Sequence, residues 1–167
     1  MAGTSAIDPR TMTGPPGTAS REVREAAARW RAPRQLEADL RRAVRGEVRF
    51  DDGSRALYAT DSSNFRAVPI AVVVPEHEED VMAALAVCHR HGAPVLPRGG
   101  GTSLAGQCCN VAVVLDFSKR MHGVIGIDPD RRLARVQPGA SLDDVRMAAA
   151  GWGLTFGPDP ATHQWCT

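Results

Sequence analysis

Residues 96–107 read LPRGGGTSLAGQ, three consecutive glycines behind a short apolar run and an arginine. Glycine loses more backbone freedom on folding than any other residue, so a run of three is costly unless the backbone needs it. Glycines after a strand let successive N–H groups turn toward one point, with no Cβ to keep a ligand away. That arrangement is an anion nest. Thr102 and Ser103 add hydroxyl donors, and Arg98 adds a positive charge near the mouth. The guest that suits such a loop is a phosphate or pyrophosphate. It is not a P-loop, because no G-K-[ST] follows, and it is not G-x-G-x-x-G with a helix opening behind it. A third kind of nucleotide cradle is needed.

The other chemically capable residues read more plainly. Cysteines stand at 88, 108, 109 and 166, with no C-x-x-C spacing for zinc or redox work. They read as reduced thiols of a cytoplasmic protein. His163 has no partner acid or metal-ligand spacing near it in sequence and reads as a surface histidine. His77, His89 and His91 fall at helix ends. No Ser/His/Asp constellation and no metal cluster stands out.

Short strands and helices must position the glycine loop. AVVVP (71–75) is a β-branched run, read as a buried strand. EHEEDVMAALAVCHRHG (76–92) is an amphipathic helix with acids in its first turn and basic groups in its last. Its expected apolar stripe is Val81, Ala84, Leu85 and Cys88, with Gly92 as C-cap. PVLP (94–97) is the next strand, so strand, helix and strand form a βαβ unit with parallel strands. The glycines begin where its second strand ends, the end at which open α/β sheets bind ligands. VAVVLDFS (111–118) is a third strand, and VIGI and RLARV flank a DPDR turn as a hairpin. Ser141 and Asp144 have capping-box spacing for a helix burying Leu142, Val145, Ala149 and Trp152. The tail from 154 is loop-like.

Before residue 57 the pattern differs. Residues 1–20, rich in Gly, Pro, Ser and Thr, read as a disordered arm. Residues 21–56 read as a helical segment broken near Pro33. Its first helix has Val23, Ala26, Ala27 and Trp30 on one face, and its second has Leu36, Leu40, Ala43 and Val44, with Gly46 able to end it. DDGS (51–54) signals a turn, RALYAT (55–60) fits a helical turn or a strand, and residues 61–64, DSSN, form a polar loop. The 167 residues carry a net charge of +1, which advertises neither nucleic acid nor an anionic membrane as partner. No apolar run approaches the ~20 residues of a membrane span.

PRGGGTSLAGQ between two strands, then VLDFSK, then RLARVQPGASLDDV, then GPDPAT, resembles the FAD-binding domain of the vanillyl-alcohol-oxidase or PCMH type. The nearest likeness is to bacterial FAD-linked dehydrogenases of D-2-hydroxy acids: D-lactate, glycolate and D-2-hydroxyglutarate. The resemblance covers about residues 57–167. It implies an α+β fold, a parallel βαβ subdomain followed by an antiparallel subdomain that is incomplete here. By the same likeness, Arg98, Gly99, Gly100, Gly101, Thr102 and Ser103 wrap the FAD pyrophosphate mainly through backbone N–H groups, with Gln107 close by. Pro138 and Gly139 form a turn near the cofactor, and Pro158, Asp159, Pro160, Ala161 and Thr162 pass near the flavin end. Some relatives attach FAD to a histidine of the glycine loop. Thr102 and Ser103 stand there instead, which implies non-covalent FAD.

In such proteins the GPDPAT segment leads into a second glycine-rich stretch and a substrate-binding part, so 57–167 is expected to be the N-terminal portion of a longer domain. Groups for the hydroxy acid, the route to an electron acceptor and any iron–sulfur cluster would belong to those later parts. No residue here is assigned as catalytic. Three readings stand: part of an FAD-dependent 2-hydroxy-acid dehydrogenase, a non-catalytic or split flavin-binding module needing a partner chain, and an FAD-domain oxidoreductase of unrelated substrate. The isolated chain is expected to bind FAD weakly or not at all and to turn over no hydroxy acid.

Overall fold

The computed structural model describes residues 33–167, together with Glu25, Ala28 and Trp30. The expected arm over 1–20 and the face positions Val23, Ala26 and Ala27 lie outside the described residues. Trp30 is half-buried and packs against the main core.

Helix α1 (Arg34–Ala43) follows Pro33 and buries Leu36 and Leu40. It closes at Val44, whose N–H bonds the Leu40 carbonyl, two residues before Gly46. Strand β1 (Glu47–Arg49) comes next, in a stretch whose sequence signals are mixed. The expected DDGS turn is instead the start of a short helix, α2 (Asp52–Leu57). Asp51 caps it by accepting from the Ser54 N–H, so the turn former acts as an N-cap.

The core sheet is four-stranded, ordered β1-β2-β4-β3. Strand β2 (Ala71–Val74) pairs antiparallel with β1 and parallel with β4 (Val113–Asp116). Helix α3 (Glu78–His91) leads to β3 (Val95–Arg98), parallel to β4. The two strands of the expected βαβ unit are therefore parallel but not neighbours, since β4 lies between them. The reason is apolar content. Every residue of β2 and β4 is buried, whereas β3 is partly exposed and carries a proline that cannot donate to a ladder. The most apolar strands take the centre and β3 takes the edge.

The sheet has two apolar faces. Ala71, Val73, Val113 and Leu115 meet Leu36, Leu40, Ala84, Val87 and Cys88 of the two helices. Val72, Val74 and Val114 point the other way and are covered by Tyr58 and Leu96. The stripe of α3 is turned from the expected one: Ala84, Val87 and Cys88 are buried, Val81 is half-buried and Leu85 is exposed. Asp80, also buried, accepts from the N–H groups of Arg45 (2.9 Å), Gly46 (3.2 Å) and Glu76 (2.9 Å). It fastens the α1–β1 connection to the start of α3.

The second unit is the hairpin of β5 (Val124–Asp128) and β6 (Leu133–Val136), packed with α4 (Leu142–Ala150). Its turn is closed by the Asp128 carboxylate accepting from the Arg131 N–H, with Arg132 in left-handed backbone. The capping box at Ser141 and Asp144 is complete. Leu142 and Ala149 are buried and Val145 is half-buried, but Trp152 is exposed. The helix ends at Ala150, so Trp152 falls beyond the helical period that would have turned it inward. The mixture of parallel sheet, antiparallel hairpin and helices is the α+β arrangement expected.

Candidate functional site

The C-terminal ends of β3 and β4 lie side by side, Arg98 opposite Asp116. The Phe117 N–H donates to the Arg98 carbonyl at 3.0 Å. The glycine loop leaves one strand, and the turn holding Ser118 and Lys119 leaves the other.

Each glycine of the run has its own reason. Gly101 has left-handed backbone, φ 70°. Gly99 and Gly100 do not. A Cβ on Gly99 would stand 1.7 Å from Thr167 Oγ1, and one on Gly100 would stand 1.9 Å from the Trp165 carbonyl oxygen. The tail lies directly on the loop. It is tied to the start of α4 as well, through Leu142 N–H to Cys166 O (3.0 Å) and Asp143 N–H to His163 O (3.3 Å). His163 Nδ1 lies 2.8 Å from the Asp143 carboxylate. The partner acid absent from its sequence neighbourhood sits twenty residues upstream, and the pair fastens the tail.

Residues 61–64 do more than turn. Asp61 accepts from the Ser63 N–H and hydroxyl and from the Cys108 N–H at 3.3 Å, and the Ser62 N–H donates to the Gly101 carbonyl at 3.2 Å. This loop is a brace under the glycine loop. The only sequence signal for that role is the cluster of short polar side chains, which an ordinary turn shares.

Arg98 is half-buried beside the cleft and tied to the protein on one side. Nη1 donates to the carbonyls of Tyr58 (3.4 Å) and Cys108 (3.2 Å), and the guanidinium lies 5.3 Å from the centre of the Tyr58 ring. The Tyr58 hydroxyl donates to Asp116 at 2.5 Å. Asp116 is buried and also accepts from the Ser118 N–H (2.8 Å) and hydroxyl (2.6 Å). Burial, then the bond to Asp116, pushes the Tyr58 phenol well above its ordinary pKa. Tyr58, half-buried against the small face of the sheet, has no sequence signal for this role.

A cleft of about 760 Å³ opens at this place. Tyr58, Arg98, Gly99 and Gly100 form one side, Ser118 and Lys119 the next, and Gly139, Ser141 and Asp144 the approach to α4. Gln164, Trp165 and Thr167 supply the tail side. Gly139 is buried, and a Cβ there would stand 2.2 Å from the Phe117 carbonyl oxygen. Pro138 beside it is exposed and does not line the cleft. Gly101 and Thr102 lie behind the lining, buried and half-buried. The hydroxyl of Ser103 bonds the Gln107 side chain within the loop.

The GPDPAT segment is placed differently from the glycine loop. Arg146 holds it, through Asp159 Oδ1 (2.9 Å) and the carbonyls of Pro158 (2.8 Å) and Phe156 (3.3 Å). Pro158, Asp159, Pro160 and Ala161 are exposed, Thr162 is half-buried, and none of the five lines the cleft. Two thiols are poor nucleophiles: burial pushes Cys88 up to about 11, and burial with the nearby Asp61 charge does the same for Cys109. All four cysteines are free. Among the described residues no group of His, Cys, Asp and Glu could hold a metal ion, and no helix is long and apolar enough to cross a membrane.

The chain that forms this cleft is similar to known proteins. The family described as "FAD binding domain" matches residues 69–167. Among curated proteins, the chain is 38% identical over 131 residues to the glycolate oxidase subunit GlcD of Escherichia coli, covering 77% of this chain and 26% of that protein. It is 35% identical over 129 residues to GlcD of Bacillus subtilis, covering 74% and 27%. To D-2-hydroxyglutarate dehydrogenase of Pseudomonas putida it is 33% identical over 141 residues, covering 81% and 14%. The chain thus spans about a quarter or less of the curated relatives it matches. Among solved structures, an alkyldihydroxyacetonephosphate synthase superposes with TM-score 0.60 at 19% identity, covering 96% of this chain and 30% of that one. The 4-ethylphenol oxidase of Gulosibacter chungangensis superposes with TM-score 0.60 at 22% identity, covering 87% and 28%. The chain belongs to the family described as FAD binding domain, whose cofactor is FAD.

Proposed function

We propose that this chain supplies the diphosphate-holding portion of an FAD-dependent oxidoreductase that converts a D-2-hydroxy acid, such as D-lactate, glycolate or D-2-hydroxyglutarate, to the 2-oxo acid. The observation that carries the reading is the glycine loop at the end of β3, opening on a 760 Å³ cleft beside a lysine that has no acidic partner among the described residues. The substrate class rests on the likeness to glycolate oxidase subunits and D-2-hydroxyglutarate dehydrogenases.

The residues fit the group. Gly99 and Gly100 stand at the cleft with backbone N–H donors, and the rest of the loop to Ser103, its hydroxyl bonded to Gln107, shapes the nest behind them. Gly139 lets the chain before α4 come close without a side chain. No histidine stands in the loop, so attachment is non-covalent. Bound FAD supplies the two-electron acceptor. This chain's own residues bind and orient, while groups that hold the hydroxy acid and pass electrons to an acceptor lie elsewhere in the assembled enzyme. The segment from Pro158 to Thr162 approaches the flavin once that enzyme is assembled. Every residue of β6 is exposed, as suits a hairpin that further structure covers. The four free thiols suit a cytoplasmic setting.

The test is a flavin titration of the purified chain, read by fluorescence and by a thermal melt with and without FAD. Alongside it runs a chimaera in which residues 57–167 replace the matching segment of the E. coli glycolate oxidase subunit. Weak FAD binding by the chain alone, flavin retention by the chimaera, and anaerobic bleaching of that flavin by a 2-hydroxy acid are expected. A folded chimaera that purifies without flavin would refute the reading.

A further inference from the structure

The cations around the cleft are not equivalent. Arg49 is bound to the carboxylate of Glu47. Arg98 places one guanidinium nitrogen, Nη1, on two backbone carbonyls and lays the group against the Tyr58 ring. His122 lies near the Asp144 carboxylate and acts on its charge. Lys119 differs from all three. It is the single lysine of the sequence, it is exposed, it lines the cleft, and no acidic side chain pairs with it among the described residues. The two acids facing the same space are already occupied. Asp116 is tied to Tyr58 and Ser118, and Asp144 to Ser141.

We infer that Lys119 is the cation that meets the cofactor's diphosphate, and that Arg98 is a positioning residue that holds the glycine loop in shape. The inference rests on the FAD reading above and names how that site takes its charge. It starts from topology. Lys119 sits in the turn just after β4, next to the strand end from which the glycines leave, so backbone donors and cation converge from neighbouring parallel strands. An ammonium on a flexible four-carbon stem reaches a diphosphate as a point charge and breaks no existing ion pair to do so. For Arg98 to swing out it must release the carbonyls of Tyr58 and Cys108. That would also empty the place where its guanidinium now covers Gly101, 2.5 Å from the position of a Cβ there. Its present bonds join residue 58, the strand end and the far side of the loop, which is what a brace does.

The test uses the full chain with three probes: FAD, inorganic pyrophosphate, and riboflavin, which has no phosphate. Lys119→Gln is expected to weaken FAD and pyrophosphate about tenfold, to make their affinities less sensitive to ionic strength, and to leave riboflavin binding and the thermal melt unchanged. Arg98→Met is expected to lower the melting temperature and weaken FAD while keeping the wild-type dependence on ionic strength. Lys119→Arg should restore most of the loss, since it returns the charge. Wild-type affinity and salt dependence in Lys119→Gln would overturn the inference while leaving the FAD reading intact. Loss of salt dependence in Arg98→Met would overturn it as well. If the wild-type chain and its glycolate-oxidase chimaera bind neither FAD nor pyrophosphate, the FAD reading falls and this inference falls with it.

Discussion

Tyr58 is the one tyrosine of the chain, so a single absorbance band reports on the centre of the site. Its hydroxyl donates to Asp116 at 2.5 Å, its ring lies under Arg98, and its carbonyl accepts from Arg98. Burial and the Asp116 bond both hold the proton on the phenol. An unfolded tyrosine loses its proton near pH 10. Above that value the folded state binds more protons than the unfolded state, so stability falls as pH rises. The contribution of this group is fully present below about pH 10 and is lost as pH climbs toward the raised folded value. Absorbance near 295 nm should therefore stay at its neutral level through pH 10 while the protein is folded, then rise in one step with unfolding. Tyr58→Phe removes a hydrogen bond to a charged group, worth about 2 kcal/mol. In a chain of this size that lowers the melting temperature at pH 7 by roughly 4–8 °C. The loss is partial because Ser118 still donates twice to Asp116. In the variant the extra alkaline slope should vanish. A smooth titration centred near pH 10 in the folded protein, or a Tyr58→Phe melt within about 1 °C of wild type, would refute the proposed link between Tyr58 and Asp116.

Two further substitutions probe the frame around the site. Gly139→Ala places a Cβ 2.2 Å from the Phe117 carbonyl and 2.8 Å from that of Met121, both backbone atoms that cannot step aside. It should cost about 1–3 kcal/mol in urea unfolding. Gly151→Ala, with nothing within 4 Å of the new atom, should be close to neutral, and equal effects of the two would remove the close approach as the cause. Asp80→Asn tests the buried carboxylate that joins α1, β1 and α3. Burial alone would raise its pKa, but the N–H groups of Glu76, Arg45 and Gly46 hold it below the ordinary carboxylate range. Its contribution is therefore present above about pH 4 and is lost as pH falls below that. Asp80→Asn should cost about 1–3 kcal/mol at pH 7 and less at pH 3. An equal cost at both pH values would show that ionisation is not what Asp80 contributes.

The fold was readable where one local rule decided. Ser141 and Asp144 fix the start of α4 by a contact three residues long. The hydrophobic runs at 71–74 and 113–116 mark strands because nothing but a buried sheet suits them. Strand order was less readable, although it too left a trace: the prolines around 94–97 argue for an edge, and β3 is one. Reading misled where a residue's surroundings come from far along the chain. Asp51 looks like a turn former and is a helix cap. Trp152 looks like the continuation of an apolar stripe and lies past the helix end. His163 lacks a nearby acid in sequence and finds Asp143 through the return of the tail. Tyr58 carries no local signature, and the brace at Asp61 only one that an ordinary turn shares, because their roles depend on β3 and β4 ending together.

The glycine run joins these two kinds of information. Read as a string, GGG says only that side chains are unwelcome. In the fold the reasons separate: Gly101 answers a backbone angle, whereas Gly99 and Gly100 answer the tail that lies across them. The loop is thus a wall built from two segments far apart in the chain, one leaving β3 and one held at the start of α4. On the proposed reading a phosphate approaches from the open side, toward the turn after β4. On that side Lys119 has no acidic partner among the described residues, while Arg98 is tied to the wall. A motif that suggests a nest with an arginine at its mouth becomes, in three dimensions, a nest braced by the arginine and facing a lysine contributed by the neighbouring strand.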